Sequence, residues 1–204
     1  MGNRTIDYYE ANAEDLASRY ESADVGELHS RLLSTFRTGS SLLEVGCGTG
    51  REAAFLIENG RDVDCIEASR SMISLALEYH HELQGRLISG EVPGCLNSIN
   101  KKYDGIYSIA TLMHLELDDI AAVLEAFHSR LKSRCRILIS VPLSRPDLEV
   151  SGFDPKGRYF LLLSEEQWRD VIGSAGFTVI ETSTNADGMG RRSVKWLSCV
   201  AVQE

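Results

Sequence analysis

Apolar positions recur along this chain with two different periods. From Ile6 through Tyr9, Ala13, Leu16, Ala17 and Tyr20, and again through Leu28, Leu32, Leu33 and Phe36, they fall three or four apart, the spacing that makes one face of a helix apolar. Two helices are therefore expected ahead of the first strand. Short apolar runs then alternate with helical stretches: runs at 42–45, 62–67, 87–91, 103–110 and 136–141 read as strands, the last apolar enough to be buried on both faces. Between them, residues 51–59 form a helix that stops at Asn59-Gly60, and Ser69 caps another that turns Met72, Ile73, Ala76 and Leu77 inward. Asp118 or Asp119 starts a longer helix marked by Ile120, Leu124, Phe127 and Leu131, with a basic end over 130–134. Ser164-Glu165-Glu166-Gln167 is a capping box ahead of Trp168, Val171, Ile172 and Ala175, and two closing strands, 177–182 and 194–202, flank a polar connection at 185–192. This alternation predicts an α/β fold, doubly wound and Rossmann-like, with a seven-stranded, mostly parallel sheet whose last strand is antiparallel.

The first strand runs into Leu43-Glu44-Val45-Gly46-Cys47-Gly48-Thr49-Gly50, three glycines at every second position followed by a helix. Glycine takes positive φ cheaply and lets a main chain approach a ligand closely, with the N–H groups of the helix start pointing outward. The second strand ends on Glu67, roughly 20 residues beyond the turn, where a nucleoside-binding α/β unit puts its ribose-binding carboxylate. The segment 43–50 resembles the E/D-x-G-x-G-x-G motif of the class I S-adenosylmethionine-dependent methyltransferases, in the small bacterial, type 11-like form, and Glu67-Ala68-Ser69-Arg70-Ser71-Met72 resembles their D/E-x-S-x-x-M motif. The glycine spacing departs from the G-x-G-x-x-G of dehydrogenases, which argues against a nicotinamide-dependent oxidoreductase.

The resemblance extends over nearly the whole chain and implies S-adenosylmethionine as cofactor. Gly90-Glu91-Val92 aligns with a G-D-A element around the adenine, Glu91 accepting from the exocyclic amine, or else it is a solvated carboxylate at a strand end. Tyr103 to Leu115 resembles F-D-x-V-x-S-x-x-x-L-H-H-L, in which the main chain at Ile109 and Ala110 meets the aminoacyl end of the cofactor. Gly46, Cys47, Gly48, Gly50, Ala68 and Met72 complete the cofactor set, with Glu44 either reaching the cofactor ammonium through a short network or satisfying N–H groups of its own turn. The first two helices, 1–38, have Tyr8, Tyr9 and Tyr20, as related methyltransferases carry in a lid over the cofactor. The lid reading brings Tyr20 into the site; the alternative is ordinary packing on the sheet.

For the acceptor, the irregular stretch 143–163 is the expected substrate-facing loop. Gly157-Arg158-Tyr159-Phe160 resembles a segment of small bacterial family members, and Asp187-Gly188-Met189-Gly190-Arg191 a D-x-x-G-R element that accompanies it. Arg158, Tyr159 and Arg191 are thus the candidate substrate-binding residues, with Arg192 beside them; an arginine there forks onto a carboxylate or phosphate, or stays a solvated loop charge. His114 follows the fourth strand, where open α/β sheets bind ligands, and is the candidate general base if the acceptor is a hydroxyl. Its other reading is packing against the next helix. No metal-ligand spacing or P-loop ending occurs.

Composition narrows the partners. With 204 residues, 43% of them hydrophobic, the chain suits a single domain, with residues 1–38 the helical lid and 39–204 the core. A net charge of −9 repels phosphate backbones and disfavours nucleic acid or an anionic membrane. Five scattered cysteines without C-x-x-C spacing indicate reduced thiols and a cytoplasmic setting, and no apolar run is long enough to span a bilayer. The expected activity is methyl transfer to an oxygen or nitrogen of a small-molecule acceptor, by a monomer or homodimer. The alternatives are a tRNA or protein methyltransferase and a non-catalytic cofactor-binding regulator.

Overall fold

The computed structural model describes residues 3–191 and 193–204. Three helices precede the sheet, α1 (Asn3–Ala11), α2 (Ala13–Glu21) and α3 (Gly26–Thr35). The periodicity across Ile6 to Tyr20 predicts one helix there, but Asn12 leaves the helical region (φ −123°, ψ 20°) and its Nδ2 donates to the Tyr8 carbonyl at 2.8 Å. The main-chain N–H of Asn12 still donates to the same carbonyl, at 3.1 Å, so the break is a change of backbone angle at one residue within an apolar stripe that continues on either side.

The sheet contains β1 (Ser41–Val45), β2 (Asp62–Glu67), β3 (Leu87–Ser89), β4 (Tyr103–Ile109), β5 (Leu131–Pro142), β6 (Phe177–Ala186) and β7 (Lys195–Gln203), in the order β3-β2-β1-β4-β5-β7-β6. β1 to β5 pair in parallel, and β7 runs antiparallel to both β5 and β6. The expected seven-stranded, doubly wound fold is therefore present. The helices α4 (Arg51–Glu58), α5 (Arg70–Tyr79), α6 (Leu117–Arg130) and α7 (Glu165–Ser174) connect the strands. β5 begins five residues earlier than the apolar run at 136–141, because Leu131 already pairs with Tyr103 before a register shift.

Alternate residues of the central strands serve two cores. Leu43, Val45, Ile106, Ile137 and Ile139 face the side covered by α6 and α7. Leu42, Val63, Cys65, Tyr107 and Leu138 face the side where α3 and α4 lie. Local signals fix the helix starts: Ser69 accepts from the Met72 N–H at 3.1 Å, and Ser164 and Gln167 form the reciprocal capping box at 3.2 and 2.8 Å. Cys47, Cys65 and Cys199 are buried, Cys95 and Cys135 partly so, and all five are free thiols.

Phe127 sits fully buried on α6 while Glu125, two residues away, faces solvent. Phe127→Ala should lower unfolding free energy by about 3–5 kcal/mol in chemical denaturation, and Glu125→Ala by less than about 0.5 kcal/mol.

Candidate functional site

The sheet order reverses between β1 and β4, so a crevice opens at their C-terminal ends. Thr111, just past β4, closes its base: its hydroxyl donates to the Gly46 carbonyl at 3.0 Å, with the Ile109 carbonyl at 3.2 Å sharing the proton. The three glycines divide their work. A Cβ on Gly46 would stand 2.2 Å from Thr111 Oγ1, and one on Gly50 2.2 Å from Leu83 Cδ1, so both are glycine because the protein's own side chains occupy that space. Only Gly48, at φ +57° with nothing nearer than Met72 Cε at 3.5 Å, keeps a main chain open to a ligand. Of the three glycines expected to face a ligand, Gly46 and Gly48 line the cavity and Gly50 does not.

Glu67 ties this turn to β2. Its Oε2 accepts from the Gly48 N–H at 2.8 Å, and its Oε1 from the N–H groups of Ala68 and Ser69, both at 2.9 Å. Burial raises its pKa, opposed by these three donors.

A cavity of about 890 Å³ extends from the turn. Gly46, Cys47, Gly48, Glu67, Ala68, Ile109 and Ala110 form one end; Ala110 holds the left-handed conformation at φ 56°, uncommon for a residue with a Cβ and found disproportionately at functional sites. Tyr9, Leu16 and Tyr20 of α1 and α2 line the cavity as a roof. Burial holds the Tyr20 phenol well above its ordinary pKa. Glu10 anchors the roof by accepting from the Arg70 and Ser71 N–H groups at 2.6 and 2.9 Å, the anion-binding start of α5.

His114 lines the cavity floor almost fully buried, with its pKa lowered to about 4 by burial. Its Nδ1 lies 2.6 Å from the Tyr159 carbonyl, which can only accept, so Nδ1 carries the proton. Nε2 then accepts from the Tyr9 hydroxyl at 3.2 Å.

Several expected residues take other positions. Glu44 is buried outside the cavity lining and accepts from Tyr107 at 3.1 Å; burial pushes its carboxyl well up, which disfavours the ionised form an ammonium needs. Met72 and Gly50 are also behind the lining. Gly90, Glu91 and Val92 border a separate crevice of about 20 Å³, room for no more than a water. Glu91 is exposed and its carboxylate bonds to none of the described residues. Tyr159 turns its ring out to Glu116, its hydroxyl 3.0 Å from Oε2, and contributes its main chain. Arg158 and Arg191 both line the cavity, joined by Arg145, which the spacing of the chain does not signal. Arg192 lies outside the described residues. No cluster of metal-ligating side chains occurs among the described residues, and none of their helices is long and apolar enough to cross a membrane.

Comparisons with known proteins agree with this architecture. A family model described as a methyltransferase domain matches residues 16–182. The chain is 29% identical over 156 residues to phosphoethanolamine N-methyltransferase 3 of Arabidopsis thaliana, covering 74% of this chain and 31% of that protein. It is 26% identical over 171 residues to an O-methyltransferase of Aspergillus sclerotiorum, covering 80% and 63%. The chain thus spans about a third of the length of the plant enzyme it matches. Magnesium protoporphyrin IX methyltransferase of Synechocystis, solved with S-adenosylhomocysteine, superposes with a TM-score of 0.77 at 18% identity over 97% of each chain. The [4+2]-cyclase SpnF superposes with a TM-score of 0.72 at 14% identity over 96% and 93%. At such identities the likeness is one of fold.

Two outcomes test this geometry. Gly50→Ala should cost about 2–5 kcal/mol through backbone strain plus overpacking, and Gly48→Ala about 1–2 kcal/mol through strain alone, both read by denaturation. Because the folded-state pKa of His114 lies below the unfolded one, its contribution to stability is complete above about pH 6.5 and is lost as pH falls toward 4. The wild type should therefore lose up to about 3 kcal/mol more than His114→Gln over that window.

Proposed function

Because the chain belongs to the methyltransferase-domain family, we propose that it transfers a methyl group from S-adenosylmethionine to an oxygen or nitrogen of a small-molecule acceptor, acting as one domain. The observation that carries this reading is a single cavity reaching from Gly48 and Glu67 to His114 and Arg158. The residues fit the cofactor. Glu67 has lone pairs beyond those its three N–H donors occupy, Gly48 keeps its main chain bare, and Ile109 and Ala110 present backbone at the cavity edge.

When bound, S-adenosylmethionine supplies a sulfonium whose methyl is already electrophilic. The protein's part is orientation and exclusion of water, since in-line attack needs the acceptor atom about 3 Å from the methyl. Glu67 would accept from the ribose hydroxyls, Ala68 would pack beside them, and Cys47 would line the same wall. Tyr20 and Tyr9 keep bulk water out from above. His114 stays neutral at physiological pH with its tautomer set by the Tyr159 carbonyl, and it orders the Tyr9 hydroxyl. The Tyr9 oxygen can then accept from an acceptor O–H or N–H and aim its lone pair. This role suits a weakly basic imidazole better than proton abstraction.

A macromolecular acceptor fits less well. The net charge of −9 opposes RNA, and the roof leaves a cavity sized for a small molecule.

Calorimetry tests the reading directly. S-adenosylhomocysteine should bind and NADH should release no heat, while Glu67→Ala weakens the former roughly a hundredfold through lost charge-assisted bonds. Absence of wild-type binding would refute it.

A further inference from the structure

Two loops on the cavity wall contain the same five-residue device. Asp154-Pro155-Lys156-Gly157-Arg158 follows β5, and Asp187-Gly188-Met189-Gly190-Arg191 lies between β6 and β7; both read Asp-x-x-Gly-Arg. They fold alike. In each, the glycine N–H donates to the aspartate carbonyl, at 2.8 and 2.9 Å, and the glycine takes φ +82° and +75°. Each carboxylate accepts from the main-chain N–H groups two and four residues on: Lys156 and Arg158 at 3.0 and 2.9 Å, Met189 and Arg191 at 3.1 and 3.0 Å. Each then grips one edge of its arginine, Nε and Nη2, at 2.9 and 2.6 Å for Arg158 and 3.0 and 2.6 Å for Arg191.

Stitching a loop accounts for one such pair but not for two of them, far apart in sequence, lining one cavity. The aspartates are nearly buried, so the guanidiniums are held rather than mobile, and a ligand meets donors whose rotamers are already set. Side-on pairing engages Nε and Nη2, and Nη1 of each arginine has no partner among the described residues. Beside Arg158, Arg145 pairs with Asp147 and Asp154 and Arg158 with Asp154, while Lys156 has no ion pair among the described residues, so three cations there stand against two carboxylates. Arg145 and Arg158 stand 4.1 and 5.3 Å from the centre of the Phe160 ring, which adds an apolar surface beside the charge.

We propose that the acceptor of the methyl group is a small organic oxyanion, a carboxylate or a phosphate ester on an apolar body, received by the free edges of Arg158 and Arg191. This rests on the methyltransferase reading and goes further by naming the acceptor's chemical class.

The test uses the full-length protein, with and without saturating S-adenosylhomocysteine, titrated with 4-hydroxybenzoate, phenyl phosphate and the uncharged 4-hydroxybenzamide. At least one anion should bind more than about tenfold tighter than the amide, and whichever does so identifies carboxylate or phosphate. Arg158→Lys and Arg191→Lys keep the charge beside the aspartate but lose the fork. Each should weaken the anion by about fivefold or more and leave the amide and S-adenosylhomocysteine unchanged. Equal binding of anion and amide, or no anion binding, overturns the proposal. So does weakened S-adenosylhomocysteine binding by both variants, which would assign the arginines to the cofactor's own carboxylate. If S-adenosylhomocysteine fails to bind the wild type, the methyltransferase reading falls and the acceptor role with it, and the anion series on the free protein then decides whether Arg158 and Arg191 form an oxyanion site.

Discussion

The contact between the Thr111 hydroxyl and the Gly46 carbonyl holds together the ends of β1 and β4 at the point where the strand order turns back on itself. Much of the site follows from it. The Thr111 side chain takes the space a Cβ on Gly46 would need, so the turn must begin with glycine. The turn then brings the Gly48 N–H to Glu67, and the carboxylate that reads as a ligand group also fixes the loop beside it. At the other strand end Ala110 accepts a left-handed backbone to let the chain cross the opening. Strain and hydrogen bonding are thus concentrated on one short seam, while the strands that lead to it are packed apolar on both faces.

Behind that seam the protein places ionisable groups in apolar surroundings. Glu44 shares its sheet face with Leu42, Cys65 and Leu138 and is satisfied by the Tyr107 hydroxyl. A buried carboxyl with one good donor costs less than an unpaired one, and it favours one arrangement of the neighbouring strands. His114 is satisfied at both ring nitrogens, by the main chain of the loop between β5 and α7 and by the roof. Neither group could be assigned this environment from its position along the chain.

What was legible in the sequence was mostly local. The capping box at Ser164 and the Ser69 cap act within a few residues of themselves, so spacing alone exposes them, and the carboxylate ending β2 is exposed by its distance from the glycine turn. The seven-stranded, mostly parallel sheet followed from alternation and handed crossovers, together with the family resemblance, whereas the order of its strands did not. What spacing could not show involves partners far apart: Thr111 filling the place of a Gly46 side chain, Glu10 capping a helix sixty residues on, and Arg145 joining Arg158 at Asp154. The split at Asn12 was hidden because the apolar stripe continues through it. The Asp-x-x-Gly-Arg spacing was noted at 187–191 alone; that 154–158 repeats it, folds alike and has its arginine on the same cavity emerges only from the fold.

The roof has a consequence for the order in which the molecule assembles. α1 and α2 leave the ribosome ahead of the sheet, yet their partners come much later: Thr5 meets Tyr159 across 154 residues and Tyr9 meets His114 across 105. Contacts of such long range close late, because the intervening chain must already be arranged. A nascent chain therefore completes its sheet before α1 and α2 find their seat, and the roof is the element whose contacts close last.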